Sequence, residues 1–411
     1  MRDVGEAEAE AETPPEAASA ISVSAPEKGA GPLRVLHAID SRFPGPGGAE
    51  SQAGKLAAAL RDKGVKVEFV SPRILDEEGI EDEVDGIRLR RINYPHIRFL
   101  GSIMLMFGFA RYLWRRRRDF DVVHIHITHL FAAAAGYARP FTGMPIITKI
   151  SGFYEFEGGV LDRRLRFRPV NLLVRTGLHR VDHVQTISEQ THRKLLEAGF
   201  REDQILFVPN GIRLDPDPPP PPSARPLRIG YCGRLRHVKG VHVLLDALRR
   251  VEEMRPGAAE VVIAGNGDTW DELHAQSEKL GLADKVHWLG QIDDTAPFFR
   301  SIDIYVQPSF AEGLPNSVLE AMAAERVVVA SDIGGNNDLI TNDRTGLLFE
   351  AGDDDALARK LVELIDDPAA RVRLAADGRA FVARHYGIDA VTSDLEKAYR
   401  GNLSAPSAAG V

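Results

Sequence analysis

Two glutamates, Glu312 and Glu320, stand in the string Glu312-Gly-Leu-Pro-Asn-Ser-Val-Leu-Glu320. Paired carboxylates on one short segment can grip a hydroxyl-rich ligand at two ends. Gly313 and Pro315 favour a tight turn, Asn316 or Ser317 can cap a helix, and Val318, Leu319 and Met322 supply its apolar stripe. Glu312 is then expected in the loop and Glu320 on the first helical turn. The same letters allow a structural role, because Ser317-Val-Leu-Glu320 is also a capping box in which Glu320 satisfies a backbone N–H. The string alone favours neither.

A second constellation is basic. The β-rich run Arg228 to Cys232 leads into Gly233-Arg-Leu-Arg-His-Val-Lys-Gly240, followed by a helix with apolar Val241, Leu244, Leu245 and Leu248. Arg234 and Lys239 therefore lie at a helix amino terminus, where unpaired N–H groups and the helix dipole already favour anions. Two cations there suit a diphosphate better than they suit solvent. The glycine-rich turn Pro44-Gly-Pro-Gly-Gly48 precedes another helix and lets backbone approach a ligand, but it lacks the dinucleotide fingerprint. By itself it is an ordinary tight turn.

Two patterns suggest metal and are read otherwise. Asp119-Phe-Asp121 has the spacing of a divalent-cation site, yet it precedes a strand and so sits at the wrong end of a parallel sheet. It reads as solvated loop carboxylates. His124 and His126 share one strand face with His129 nearby, but no carboxylate or cysteine set accompanies them, so a packed or ligand-facing pair is expected rather than zinc.

The elements that must hold these groups alternate. Leu33 to Ile39, Val65 to Val70, Asp121 to Ile127, Ile146 to Ile150, Val181 to Ile187 and Ile205 to Val208 read as strands, with a helix from Ala49 to Arg61 and a hairpin at Asp85-Gly86. After Asp215-Pro-Asp-Pro-Pro-Pro-Pro-Pro222, a stiff linker, the alternation resumes. Strands are expected at Arg228 to Cys232, Glu260 to Ala264, Val286 to Leu289, Ile304 to Gln307 and Val327 to Ala330, with helices such as Val241 to Val251 and Leu273 to Leu280. Two α/β domains with parallel sheets follow, their ligand in the cleft beyond the strands' carboxyl ends. The helical run from Arg371 to Tyr399 has no later strand and can close the second domain or cross back to the first.

The 411 residues, 44% hydrophobic and 27% charged with a formal charge of -8, suit two ordinary cores and oppose general nucleic-acid binding. The single Cys232 is expected as a buried thiol in a reducing compartment. The Ala-, Glu- and Pro-rich start reads as a disordered tail rather than a signal peptide. Phe99 to Trp114 is interrupted by Gly101, Gly108 and Arg111, too short for a membrane span, so a cytoplasmic protein is expected.

Six strings now stand in order: Gly47-Gly48, Val208-Pro-Asn-Gly-Ile212, Gly233-Arg234 with Lys239-Gly240, Ala264-Gly-Asn-Gly-Asp268, Leu289-Gly290, and Glu312 to Glu320. With the proline linker after the second, the chain resembles glycosyltransferase family 4 from about Leu33 to Tyr399. The resemblance implies an α/β GT-B fold, two Rossmann-like domains facing across a cleft. Residues 1–31 would be an acidic tail, 32–213 the acceptor domain, 214–226 the linker, 227–385 the nucleotide-sugar domain, and 386–411 a terminal helix and tail. It implies a retaining, metal-independent transfer of a hexose-type sugar from a nucleotide-diphosphate sugar to an acceptor hydroxyl, in bacterial polysaccharide or glycoconjugate synthesis, with no cofactor. Arg234 and Lys239 would hold the diphosphate, Glu312 the sugar with the backbone of Gly313, Leu314, Pro315 and Asn316, and Glu320 the ribose. The base would lie near Gln291 and Ile292, with Gly47, Gly48, Asn210 and Gly233 completing the donor contacts.

One departure stands out. Where the family often carries His in a Thr-x-His-Gly-like string, this chain reads Thr148-Lys-Ile-Ser-Gly152, which puts Ser151 at the sugar. A hydroxyl can hydrogen-bond there but cannot carry charge near neutral pH. Lys149, Tyr154, Glu155 and Glu157 are candidates to compensate or to define the acceptor. Arg115, Arg116, Arg117 and Arg118 end an apolar helix, where they can complement its dipole or dock it peripherally on an anionic inner membrane face. Two rivals keep the fold: a sugar-nucleotide epimerase, for which no acid and base pair stands out, and a non-catalytic nucleotide-sugar-binding module.

Overall fold

The computed structural model describes residues 31–45, 47–97, 100–150, 152, 155–156, 158–165, 167–216 and 226–401. The expected acidic tail, most of the proline linker, Ser151, Tyr154 and Glu157 lie outside them.

Eight strands form the first sheet: β1 (Arg34–Ala38), β2 (Lys66–Pro72), β3 (Glu81–Val84), β4 (Ile87–Ile92), β5 (Val122–Ile125), β6 (Ile146–Lys149), β7 (His183–Thr186) and β8 (Ile205–Phe207). Their order is β3-β4-β2-β1-β5-β6-β7-β8, parallel except at the β3/β4 hairpin. That hairpin turns at Asp85 and Gly86, both at positive φ, as a two-residue turn matched to strand twist requires. Helices α1 (Gly48–Asp62), α2 (Leu100–Arg115), α3 (Leu130–Thr142), α4 (Pro169–Leu178) and α5 (Glu189–Glu197) make the crossovers.

The second sheet runs β11-β10-β9-β12-β13-β14, all parallel. Its strands are β9 (Leu227–Cys232), β10 (Ala259–Ala264), β11 (Val286–Gly290), β12 (Ile304–Gln307), β13 (Val327–Ser331) and β14 (Leu347–Phe349). The helices are α6 (Val241–Met254), α7 (Trp270–Lys279), α8 (Ala296–Ser301), α9 (Asn316–Ala323), α10 (Gly334–Asn337), α11 (Asp354–Asp366), α12 (Pro368–Tyr386) and α13 (Ile388–Tyr399). Both faces of each sheet are covered, so the central strands read as continuous apolar runs. Ile229, Ile263, Val306 and Val329 lie in one such core, and Leu36, Val123, Ile125 and Ile146 in the other.

Helix α13 returns to the first sheet. Ile388, Val391, Leu395 and Tyr399 share a buried cluster with Val35, Leu56, Leu60 and Val122. The two chain crossings touch where Ile212 N donates to Tyr386 O and Ile388 N donates to Ile212 O, both at 2.8 Å. Gly211 packs closely at this crossing, since a Cβ there would meet Ile388 Cα at 3.3 Å and its Cδ1 at 2.6 Å.

Candidate active site

The loop after β9 is shaped by close backbone contacts. Leu235 N donates to Asn266 O at 3.0 Å, and a Cβ on Gly265 or Gly267 would strike the carbonyl oxygens of Gly233 or Leu235 at 1.9 and 2.1 Å. Gly240 has φ 67°, and its added Cβ would lie 1.9 Å from Pro308 O. Glycine alone fits there. The packing leaves Arg234 exposed, with no carboxylate partner among the described residues. Lys239 Nζ lies 2.7 and 2.8 Å from the two carboxylate oxygens of Glu312.

Glu312 sits in the loop after β12. Gln307 Nε2 and Ser309 Oγ also donate to its Oε1, at 2.6 and 2.7 Å. The Glu312 side chain is 9% exposed and that of Lys239 26%. Three side chains thus hold one carboxylate, and Gly335 gives the loop room, since a Cβ there would meet Glu312 O at 2.6 Å.

Glu320 does not form the capping box that the letters allow. Pro315 is the N-cap residue, so α9 begins at Asn316 and Glu320 falls on its second turn. Ser317 Oγ donates to Gln307 Oε1 instead. The Glu320 carboxylate accepts from Lys55 Nζ at 2.7 Å and from Thr295 Oγ1 at 3.1 Å. Lys55 belongs to α1 of the first domain, so this ion pair spans the cleft. It borders a cavity of about 680 Å³ whose lining includes Phe43, Lys55, Arg213, Thr295 and Glu320. The sequence offered no signal for Lys55 or Thr295: a lysine on the polar side of an amphipathic helix is the commonest surface residue.

A second cross-domain contact lies at Asn316, whose Nδ2 is 3.4 Å from Gly48 O. Asn316 Oδ1 accepts from Asn210 Nδ2 at 2.7 Å, and Asn210 Oδ1 accepts from Lys149 Nζ at 2.6 Å. Gly48, Asn210, Asn316 and the Glu312 loop are thereby brought together. Gly47 is the N-cap of α1, with Glu50 folded so closely over it that a Cβ would meet Glu50 Oε2 at 2.0 Å. Gln291, just after β11, is exposed, while Ile292 packs against the cluster containing Leu319 and Met322.

The sequence comparisons agree along the chain. Residues 226–367 match the model of glycosyl transferases group 1, and residues 47–211 match that of the glycosyl transferase 4-like domain. The phosphatidyl-myo-inositol mannosyltransferase of Mycobacterium leprae is 31% identical over 385 residues, covering 89% of this chain and 96% of the relative. The chain belongs to glycosyltransferase family 4. A further relative of this glycosyltransferase is the lipopolysaccharide core biosynthesis mannosyltransferase LpcC of Rhizobium leguminosarum, 27% identical over 61% of this chain and 76% of its own. Among solved structures, Anabaena Alr3699/HepE in complex with UDP-glucose superposes with TM-score 0.72 at 20% identity, over 89% of this chain and 99% of that one, and shares the GT-B fold.

Several expected features of the glycosyltransferase are corrected. Asp119 stays solvated as expected, its side chain 49% exposed with Arg116 Nε 2.5 Å away, whereas Asp121 is half-buried and bound by Arg34 through Nε and Nη2 at 3.2 and 2.8 Å. Arg116 also reaches Glu68, so the four-arginine run carries less unbalanced charge than its letters suggest. Cys232 is half-buried rather than fully buried, and desolvation pushes its thiol up to about 12.

His124 and His126 are packed, not sugar-facing. With His37 they form a fully buried cluster whose ligand nitrogens lie within 4.8 Å of one another. His126 Nε2 meets His37 Nδ1 at 3.0 Å, and His124 Nδ1 meets Tyr399 Oη at 2.6 Å. Burial lowers all three pKa values and Lys149 lowers them further. A cation beside neutral, sealed imidazoles opposes a metal there. His129, at the start of α3, faces Asp40 at 3.9 Å.

Proposed function

We propose that this glycosyltransferase moves a hexose-type sugar from a nucleoside-diphosphate sugar to an acceptor hydroxyl with retention of anomeric configuration and without a metal ion. The observation that carries the reading is the Glu312 carboxylate, engaged by Lys239, Gln307 and Ser309. A carboxylate so occupied is a poor nucleophile and a good fixed acceptor for sugar hydroxyls. Lys239 has three donors and can keep Glu312 while turning another toward a diphosphate. Exposed Arg234, one loop away, adds a second cation where leaving-group charge develops. With Glu312 orienting the sugar, a leaving phosphate oxygen can itself take the acceptor proton. Glu320, at the cavity, supports a ribose role.

The donor class draws support from structural neighbours solved with UDP and UDP-glucose, and from relatives named as mannosyltransferases. The relatives' names also suggest a lipid-linked glycoconjugate acceptor. Among the described residues no helix is long and apolar enough to cross a membrane. Helix α2 and its neighbour α3 nevertheless expose Ile103, Phe107, Trp114 and Phe141, Phe107 at 71% and Phe141 at 74%, next to exposed Arg111, Arg115 and Arg118. Apolar rings bordered by arginine suit peripheral contact with an anionic bilayer.

The test is release of nucleoside diphosphate from UDP- and GDP-linked hexoses, with acceptor lipids extracted from cells, with and without chelator, and with the product anomer assigned by NMR. Retained configuration and chelator-insensitive turnover are expected. Inverted product or abolition by chelator overturns the corresponding part. Tight donor binding without turnover, or a change in the donor sugar alone, favours the binding-module or epimerase alternative.

A further inference from the structure

Lys149 is the least expected group in the first domain. It ends β6, a central strand, and its side chain is fully buried. Among the described residues no carboxylate pairs with it, and Asn210 Oδ1 at 2.6 Å is its one side-chain hydrogen-bond partner. Burying an ammonium without a counter-ion is costly, and a methionine would fill the volume at lower cost.

What the lysine does follows from its hydrogen-bonding inventory. An ammonium has donors and no acceptor, whereas an Asn amide has one end of each kind. Because Lys149 donates to Asn210 Oδ1, the Asn210 amide must present Nδ2 to Asn316. The Oδ1 of Asn316 accepts that bond at 2.7 Å, which leaves Asn316 Nδ2 facing Gly48 O at 3.4 Å. The chain of bonds starts in the first sheet, passes through the residue that opens α9, and returns to the glycine turn of the first domain. Asn316 lies four residues beyond Glu312. Reversing one amide breaks two links, and the donor-only terminus forbids the reversal.

We propose that Lys149 is a positioning residue of the transfer reaction: it fixes the amide orientations of Asn210 and Asn316 and so holds the Glu312–Asn316 loop against Gly48. This rests on the function proposed above. It also makes the arrangement pH-sensitive. Burial pushes the Lys149 pKa down to about 7. Among the described residues, the titratable groups facing it are His37 on β1 and His124 and His126 on or just after β5, all kept neutral by burial. Above about pH 7 the neutral amine gains a lone pair, and the constraint on Asn210 is lost.

The experiment uses the full chain with Lys149→Met, Asn210→Ala and the double variant. The readouts are kcat and donor KM from pH 6 to 9, thermal unfolding, and solution scattering of the unliganded protein. Each single variant is expected to lower kcat roughly 10–100-fold, the loss typical of small misplacement, with donor KM for Lys149→Met within about 3-fold. The fall of wild-type kcat above neutral pH should disappear in both. The double variant should be no worse than the poorer single, as for two residues acting through one chain. A purely structural lysine would change the melting temperature and leave kcat and the pH profile alone, and that result overturns the proposal. So does an additive double variant. If Lys149→Met fails to fold, Asn210→Ala with the same readouts decides. Should the wild type turn over no donor, the proposed function fails separately. Scattering still tests the contact, because the wild type should become more extended between pH 6 and 8.5 and Lys149→Met should not.

Discussion

Glu320→Gln separates a ligand-gripping carboxylate from a structural one. Its pair with Lys55 is partly solvated, with side chains 17% and 39% exposed, so the ion pair is worth at most about 1 kcal/mol. Glutamine keeps an acceptor for Lys55 or Thr295. The stability loss should therefore be about 0.5 kcal/mol, a melting shift under about 2 °C for a chain of this size.

Donor binding should suffer more. Hydrogen bonds to a charged acceptor exceed neutral ones by roughly 1–1.5 kcal/mol each, and two ribose hydroxyls would use both oxygens. The wild type must first release Lys55, which returns up to about 1 kcal/mol to the variant. The net loss is about 1–2 kcal/mol, or roughly 5–30-fold in Kd. Titration calorimetry of UDP and GDP against the full chain, paired with thermal unfolding, reads both quantities. Unchanged Kd alongside a stability loss above about 2 kcal/mol would refute the reasoning and return Glu320 to a scaffold role. The companion Lys55→Met should tighten binding up to about 5-fold by removing a competitor. Weaker binding would instead mean that Lys55 follows the ligand.

Gly240→Ala should cost more than about 2 kcal/mol and displace Lys239, because φ is 67° and the new Cβ would stand 1.9 Å from Pro308 O; chemical denaturation and nucleotide binding check it, and a neutral substitution sinks the loop-packing argument. Lys149 also predicts the sign of a stability profile. Its pKa is about 7 folded against the ordinary 10.5, so between these values the unfolded chain binds more protons and stability rises with pH. The stability of wild type relative to Lys149→Met should improve from pH 7 to 9 in denaturant titrations, and a flat or opposite difference refutes the assignment. Neutralising Arg111, Arg115 and Arg118 to Gln should reduce co-sedimentation with anionic vesicles at least several-fold, while equal, negligible sedimentation of both proteins removes the membrane contact.

The strands of both sheets were legible because parallel sheets covered on both faces leave apolar runs of strand length. The edge strand β14 was not, since the three residues Leu347–Phe349 are too few to show a period. At α9 the letters allowed a capping box, but Pro315 fixes the backbone ahead of Asn316 and starts the helix earlier than a Ser317 cap would. Asn316 is consequently spent on Asn210 and Gly48 rather than on capping. The grouping of Glu312 with Lys239 was readable as two motifs, though not their direct pairing, which depends on Gly240 fitting under Pro308. Lys55 left no trace in the sequence. Lys149 did leave one: a lysine among Ile146, Ile147, Thr148 and Ile150 in a central strand must be either a register error or a group with a task.

The two carboxylates differ in what domain separation does to them. Glu312 is held by Lys239, Gln307 and Ser309, all from its own domain, so opening the cleft leaves that arrangement intact. Glu320 loses Lys55, and Asn316 loses Asn210 and Gly48, because those partners belong to the other domain. Under the proposed function, opening would uncover Glu320 for ribose hydroxyls while keeping the Glu312 carboxylate preformed. Closure onto a nucleotide cannot restore the Lys55 pair without competing for the same oxygens. It can restore the Asn316–Gly48 contact, which makes that contact, and the lysine behind it, the part of the present arrangement that a bound donor is free to keep.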